Sequence, residues 1–214
     1  MTGYLLSDAE AVEAYRLLQI EFVDLLRTID PSAGELPVPH CPAWTVAQTC
    51  SHLVGVPEDI LAGRMEGVTT DAWTDAQVRR HVGESLRELA DSSDRTMETF
   101  AEVLPAIPAP VNSQLVMDAV THLHDVRHAV GRPGSRDSLA VRVGAGWLLD
   151  RAENARPGLG TRLAGCGVSR FDLLRMLGGR RSFAQMDALG LDSVALAPLF
   201  EGAPLRPPPD SIDE

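Results

Sequence analysis

Asp118, His122 and Asp125 lie in the run Met-Asp-Ala-Val-Thr-His-Leu-His-Asp-Val-Arg at positions i, i+4 and i+7. On an α-helix the first two diverge by only about 40° around the axis, one turn apart, so a carboxylate oxygen and an imidazole nitrogen can share one cation. Those donors suit zinc, iron, nickel or manganese. The spacing alone is weak, because such pairs also arise on solvated helix faces. A rival pair, His124 and His128, has the same spacing on the same helix, the nearer member roughly 200° from His122. The apolar positions Val116, Ala119, Val120, Leu123 and Val130 do not decide which pair faces inward, and His124 and His128 read best as surface residues beside Arg127. A third ligand has to come from another helix, and His52 in Cys-Pro-Ala-Trp-Thr-Val-Ala-Gln-Thr-Cys-Ser-His-Leu is the strongest local candidate. Taken singly, a histidine in an apolar helix is more often a satisfied core residue. Cys50 points away from His52 and reads as a small buried hydrophobe, while His40 and Cys41 are held as structural.

Helices must position these groups. Apolar residues from Val12 to Ile29 follow helical spacing, with Asp8 and Glu10 in the first turn, which predicts one long helix over Ser7–Thr28. Pro31, Pro37, Pro39 and Pro42 then predict a rigid loop from Asp30 to Trp44. Thr45-Val-Ala-Gln48 is a capping box that opens a second helix running to about Gly63 through Pro57. Thr74-Asp-Ala-Gln77 repeats the pattern and predicts a third helix to Val103, with Val78, Val82, Leu86, Leu89, Met97 and Phe100 inward. A fourth spans Ser113 to Val130, closed by Gly131 in the left-handed region and by Pro133. These imply a helix bundle over residues 1–134. A small C-terminal domain, α or α+β, follows over 135–202, with helices at Leu139–Ala152 and from Ser169 to Gly178-Gly179. The proline-rich tail 203–214 reads as extended or disordered.

Composition narrows the function. The chain has 214 residues and a formal charge of −11, so nucleic acid and anionic membrane surfaces are disfavoured partners. Three cysteines form no disulfide framework. No leader pattern occupies Met1–Glu10, and no stretch approaches the roughly 18 apolar residues of a membrane span, so the expected location is the cytoplasm. All 19 basic residues are arginine, a bias that hints at a GC-rich coding sequence.

Three separated motifs carry a resemblance: Cys41-Pro-Ala-Trp44-Thr-Val with His52-Leu-Val-Gly, Asp118-x-x-x-His122-x-x-Asp125-Val-Arg-x-Ala-Val-Gly131, and Gly179-Arg-Arg-Ser182-x-x-Gln185. Together they resemble the mycothiol-dependent maleylpyruvate isomerase family. The resemblance implies a mainly α fold, a DinB-like metal-binding four-helix bundle with a small C-terminal appendage. It further implies a divalent metal, commonly zinc, held by His52, Asp118 and His122, with Asp125 supporting a ligand from behind. Asp118 stands where the family more often has Glu, one methylene longer, so this carboxylate must approach more closely or act through water. The implied cofactor is mycothiol, an actinobacterial thiol, and the implied partners are that thiol and a small electrophile, with Arg180 and Arg181 meeting acidic substrate groups or forming ion pairs. A homodimer is compatible with this reading. The expected activity is isomerisation or S-transfer, against two alternatives: a non-catalytic metal-binding or regulatory protein of the same fold, and a metal-dependent hydrolase.

Overall fold

The computed structural model describes residues 3–214 and is mainly α. Entry into α1 (Asp8–Thr28) is set by a reciprocal pair. Glu10 N donates to Ser7 Oγ at 3.3 Å, and Ser7 N donates to the Glu10 carboxylate at 3.0 Å, satisfying amides that a helix leaves without partners. Tyr15, Leu18, Phe22, Leu25 and Leu26 are buried along one face, as the spacing predicts.

The prolines after α1 build more order than a loop. A short 3-10 turn at Pro31–Glu35 leads into a hairpin of β1 (Pro37–Val38) and β2 (Cys41–Thr45), antiparallel, with Pro37 opposite Thr45 and Val38 opposite Cys41. Proline removes a donor without barring an extended backbone, and so short a ladder needs few donors. The hairpin delivers the chain to α2 (Val46–Leu61), where Gln48 N donates to Thr45 Oγ1 and Thr45 N donates to the Gln48 side chain, the predicted capping box.

The expected third helix is instead two. Thr70, not Thr74, caps α3 (Asp71–Arg80), and Ser85 with Glu88 forms the box that opens α4 (Leu86–Val103). Between them Gly83 takes φ +88, a left-handed conformation that interrupts the helix where side chains are disfavoured. Val82, expected inward, is 76% exposed on this turn. α5 (Val111–Ala129) follows as one helix, and Gly131 beyond it has φ +63.

The chain divides into two compact units, and α1 and α5 each contribute to both. One holds Tyr15–Pro108 and His122–Gly134. Its four long helices close a ring of neighbours. The α1 and α4 helices meet through Tyr15 on Phe100 and through Arg27, which bonds Asp91 and Asp94 at 2.9 and 2.6 Å. In turn α4 packs on α2, α2 meets α5 through His52 on His122, and α5 returns to α1 through Arg127 and Glu21.

The other unit comprises residues up to Ala14, Ala109–Thr121 and Ser135–Glu214. Its centre is α6 (Leu139–Ala155), with Val141, Ala145, Leu148, Leu149 and Ala152 buried against α7 (Leu159–Ala164) and α8 (Arg170–Leu177). Two short helices follow, α9 (Phe183–Ala188) and α10 (Ser193–Leu196). Among the described residues no strand falls here, so the appendage is α. Residues 203–214 form neither helix nor strand but are pinned rather than loose, since Gln185 Nε2 donates to Ile212 O at 2.9 Å. No helix among the described residues is long and apolar enough to cross a membrane.

His81 closes α3, with Nε2 3.2 Å from Glu58 on α2 and Nδ1 3.0 Å from Glu84. The hydrogen bond to Glu58 raises the His81 pKa above its ordinary 6.5, and the same bond holds Glu58 below its ordinary 4.5. The histidine contribution is complete below 6.5 and fades as pH rises through the raised value; the glutamate contribution is complete above 4.5 and fades as pH falls through the lowered one. His81→Gln should therefore cost about 1 kcal/mol between those two values, the scale of a partly exposed pair. Urea titrations should show that deficit shrinking in alkaline buffer; a deficit independent of pH would rule out the charged pair.

Candidate metal centre

Strand β2 leads straight into α2, and His52, about two turns into that helix, meets His122 of α5. His52 is 2% exposed, and its ring lies edge-on to His122 with centroids 4.9 Å apart. Trp44 packs on both rings, at 5.4 Å from His52 and 6.0 Å from His122. Asp118 lies one turn before His122 on α5. One donor atom from each of His52, Asp118 and His122 falls within 4.8 Å of the others. The sequence-derived triad thus comes together, two imidazoles and a carboxylate from two helices.

Hydrogen bonds behind the rings decide which nitrogens can serve. His52 Nδ1 is 2.7 Å from Gln77 Oε1, and Gln77 Nε2 donates to Asp59 Oδ2 at 2.8 Å. A carboxylate accepts only, so Asp59 fixes the amide with its oxygen toward His52. Nδ1 then carries the proton, and Nε2 is the lone-pair nitrogen that a metal requires. Asp59 is held in turn by Arg64 at 2.6 Å and Arg80 at 2.7 Å, a buried carboxylate neutralised by two guanidinium groups. At His122, Asp125 Oδ2 stands 3.3 Å from Nδ1, with Asp125 wholly buried. There the buried carboxylate is an acceptor beside Nδ1. Two imidazoles and one carboxylate, each imidazole with an acceptor behind it, are a donor set that can hold a divalent cation.

Sequence reasoning missed Gln77 and Asp59. Gln77 looked like the last member of a capping box opened by Thr74, but it is fully buried and turned onto His52, because α3 begins four residues earlier and presents another face. Its approach depends on Gly55. A Cβ at that position would lie 2.6 Å from Gln77 Cβ, inside any tolerable contact. The Gly in His-Leu-Val-Gly was the available signal.

Cys41, held as structural, has its Sγ 3.8 Å from His122 Nδ1 and 3.5 Å from Asp125 Oδ2, and the three residues make a second group of metal-capable donors. Two further expectations change. His124 is buried rather than on the surface, and His128 Nδ1 lies 3.3 Å from His40 Nδ1, with His40 Nδ1 3.9 Å from Asp125. The α5 helix is enclosed on more sides than a two-faced wheel assumes. Arg180 and Arg181 are buried too: Arg180 donates to Gly178 O at 2.8 Å, and Arg181 donates to Glu214 Oε2 at 2.8 Å. Cys50 is the buried hydrophobe expected, its thiol pKa pushed far up by burial.

The sequence model of the mycothiol maleylpyruvate isomerase N-terminal domain matches residues 15–132. This chain belongs to that family. No curated protein and no solved structure matches it. The matched stretch contains every helix that contributes to the triad, together with Gln77 and Asp59; the isomerase-family match ends before Arg180 and Arg181.

Gln77→Leu removes the acceptor behind His52, and Gly55→Ala displaces it. Each should weaken the retention of an added divalent cation by about 10- to 100-fold, the usual cost of losing a partner behind a ligand. Chelator competition on folded protein measures this, and unchanged retention would show that Gln77 does not orient the ligand.

Proposed function

We propose that this protein is a metal-dependent, mycothiol-dependent isomerase or S-transferase acting on a small electrophile. The observation that carries the reading is the convergence of His52, Asp118 and His122, with both imidazoles oriented from behind. A divalent metal there, zinc by the character of the donors, would supply Lewis acidity that lowers the pKa of a bound thiol and makes a thiolate at neutral pH. The chain's own contribution is orientation. Gln77 keeps His52 in the ligating tautomer, Asp125 is an acceptor beside His122 Nδ1, and Trp44 covers both rings with apolar surface that limits water. Asp118, one methylene shorter than the glutamate that the family resemblance leads one to expect, sets how closely the carboxylate approaches.

The family match supports mycothiol as the thiol, and an arginine-only basic composition is in keeping with an actinobacterial source. Arg180 and Arg181 supply guanidinium groups of the geometry that acidic substrate groups favour. A thiolate held there would supply a nucleophile for reversible addition to an electrophilic double bond, chemistry that suits isomerisation or S-transfer.

The test is metal analysis of the purified protein, followed by thermal shift with mycothiol. The expected result is about one equivalent of divalent metal and a rise in Tm with mycothiol, as ligand binding to the native state requires. His52→Ala and His122→Ala should abolish both. Asp118→Glu should retain metal at least as tightly as the parent. Metal without a thiol response would favour a hydrolase, and no metal at all would favour a binding or regulatory protein.

A further inference from the structure

The motif Gly179-Arg-Arg-Ser182-x-x-Gln185 is covered along its length by the tail. A Cβ on Gly179, which has φ +75, would lie 2.7 Å from Arg206 N and 3.0 Å from the Leu205 carbonyl carbon, so the tail backbone crosses directly over this residue. Ser182 Oγ lies 3.0 Å from Ser211 Oγ, and Gln185 Nε2 donates to Ile212 O at 2.9 Å. At the end of this path the Glu214 side chain, 6% exposed, places one oxygen 3.0 Å from Arg175 Nε and 2.8 Å from Arg181 Nη1. Arg136 Nη2 donates to the main-chain oxygen of Glu214 at 3.1 Å.

Arg175 is the telling member. Its side chain is wholly buried on α8, with Nη1 donating to Thr121 O at 3.1 Å. A buried guanidinium is costly unless an anion accompanies it, and paired guanidinium forks match a carboxylate. Arg181 also has Asp172 within 3.8 Å, a longer and more exposed contact than the one with Glu214. Pro207, Pro208 and Pro209 limit the freedom of the tail, so pinning it costs little entropy.

We infer that Arg175 and Arg181 form a carboxylate-binding pocket, and that the tail Leu205–Glu214 is a displaceable strap whose Glu214 side chain fills this pocket until a small carboxylate displaces it. The inference rests on the reading of Arg181 as an anion-binding residue. No covalent step is involved: one carboxylate exchanges for another at the same guanidinium pair. Because the competing group is tethered, it acts at an effective concentration on the order of millimolar, and the apparent affinity for a free carboxylate is reduced by the fraction of molecules whose strap is open.

Succinate is the probe, with its uncharged diamide as the control, on the full-length chain. Calorimetric titration should show weak succinate binding to the parent and binding at least ten-fold tighter to Glu214→Gln, with no response to the diamide. Adding Arg181→Gln to that variant should remove the binding. Should Glu214→Gln fail to fold, Glu214→Asp, which keeps the charge on a shorter arm, replaces it with an expected gain of at least three-fold. Hydrogen exchange on the unmodified protein gives an independent readout: saturating succinate should speed exchange of the amides from Ser211 to Glu214. Equal succinate affinity in parent and variant, or tail exchange unaffected by succinate, would overturn the strap and leave Glu214 as a structural ion-pair partner. Neither measurement involves metal or thiol, so its failure is distinct from failure of the proposed activity.

Discussion

The contact between His52 Nδ1 and Gln77 Oε1, at 2.7 Å, governs the candidate centre. An imidazole buried at 2% exposure has no solvent to choose its tautomer, so the neighbour with the fixed hydrogen-bonding sense chooses it. Gln77 has that sense because the Asp59 carboxylate accepts its amide N–H, and Arg64 and Arg80 pair with the same carboxylate. The order runs outward from ligand to amide to carboxylate to guanidinium, each step removing a freedom from the one before. Gly55 makes the arrangement sterically possible by letting α3 lie against α2.

The α5 helix carries the second half of the same logic within a single element. Asp118 and His122 face one direction a turn apart, while Asp125 holds the back of His122 from the following turn. Cys41, delivered by the hairpin, adds a sulfur beside the same imidazole. The prolines of that segment therefore serve the site: they stiffen the strands that bring Cys41 and Trp44 to the rings.

Much of the fold was legible in local sequence. α1, α2, α5, α6 and α8 fall close to where periodicity and capping residues put them, because such signals act within a few residues. The failure between Thr74 and Val103 is instructive. Thr74-x-x-Gln77 carries a capping-box pattern that the true cap Thr70 lacks, and an isolated glycine such as Gly83 within a helical pattern costs only about 1 kcal/mol, a weak stop signal. Capping motifs state that a helix can begin, not that it does.

By itself the sequence determined the helix-forming segments, the family and the donors that could share a cation, since Asp118 and His122 are neighbours on any helix. Only tertiary structure decided that His52 meets them, that Gln77 and Asp59 stand behind it, that His124 is buried, and that Glu214 lies against Arg175 and Arg181. The contacts among these join residues 18 or more positions apart, and no local pattern reports the free energy of such a meeting. It is set by which buried polar groups the packed helices leave to satisfy one another.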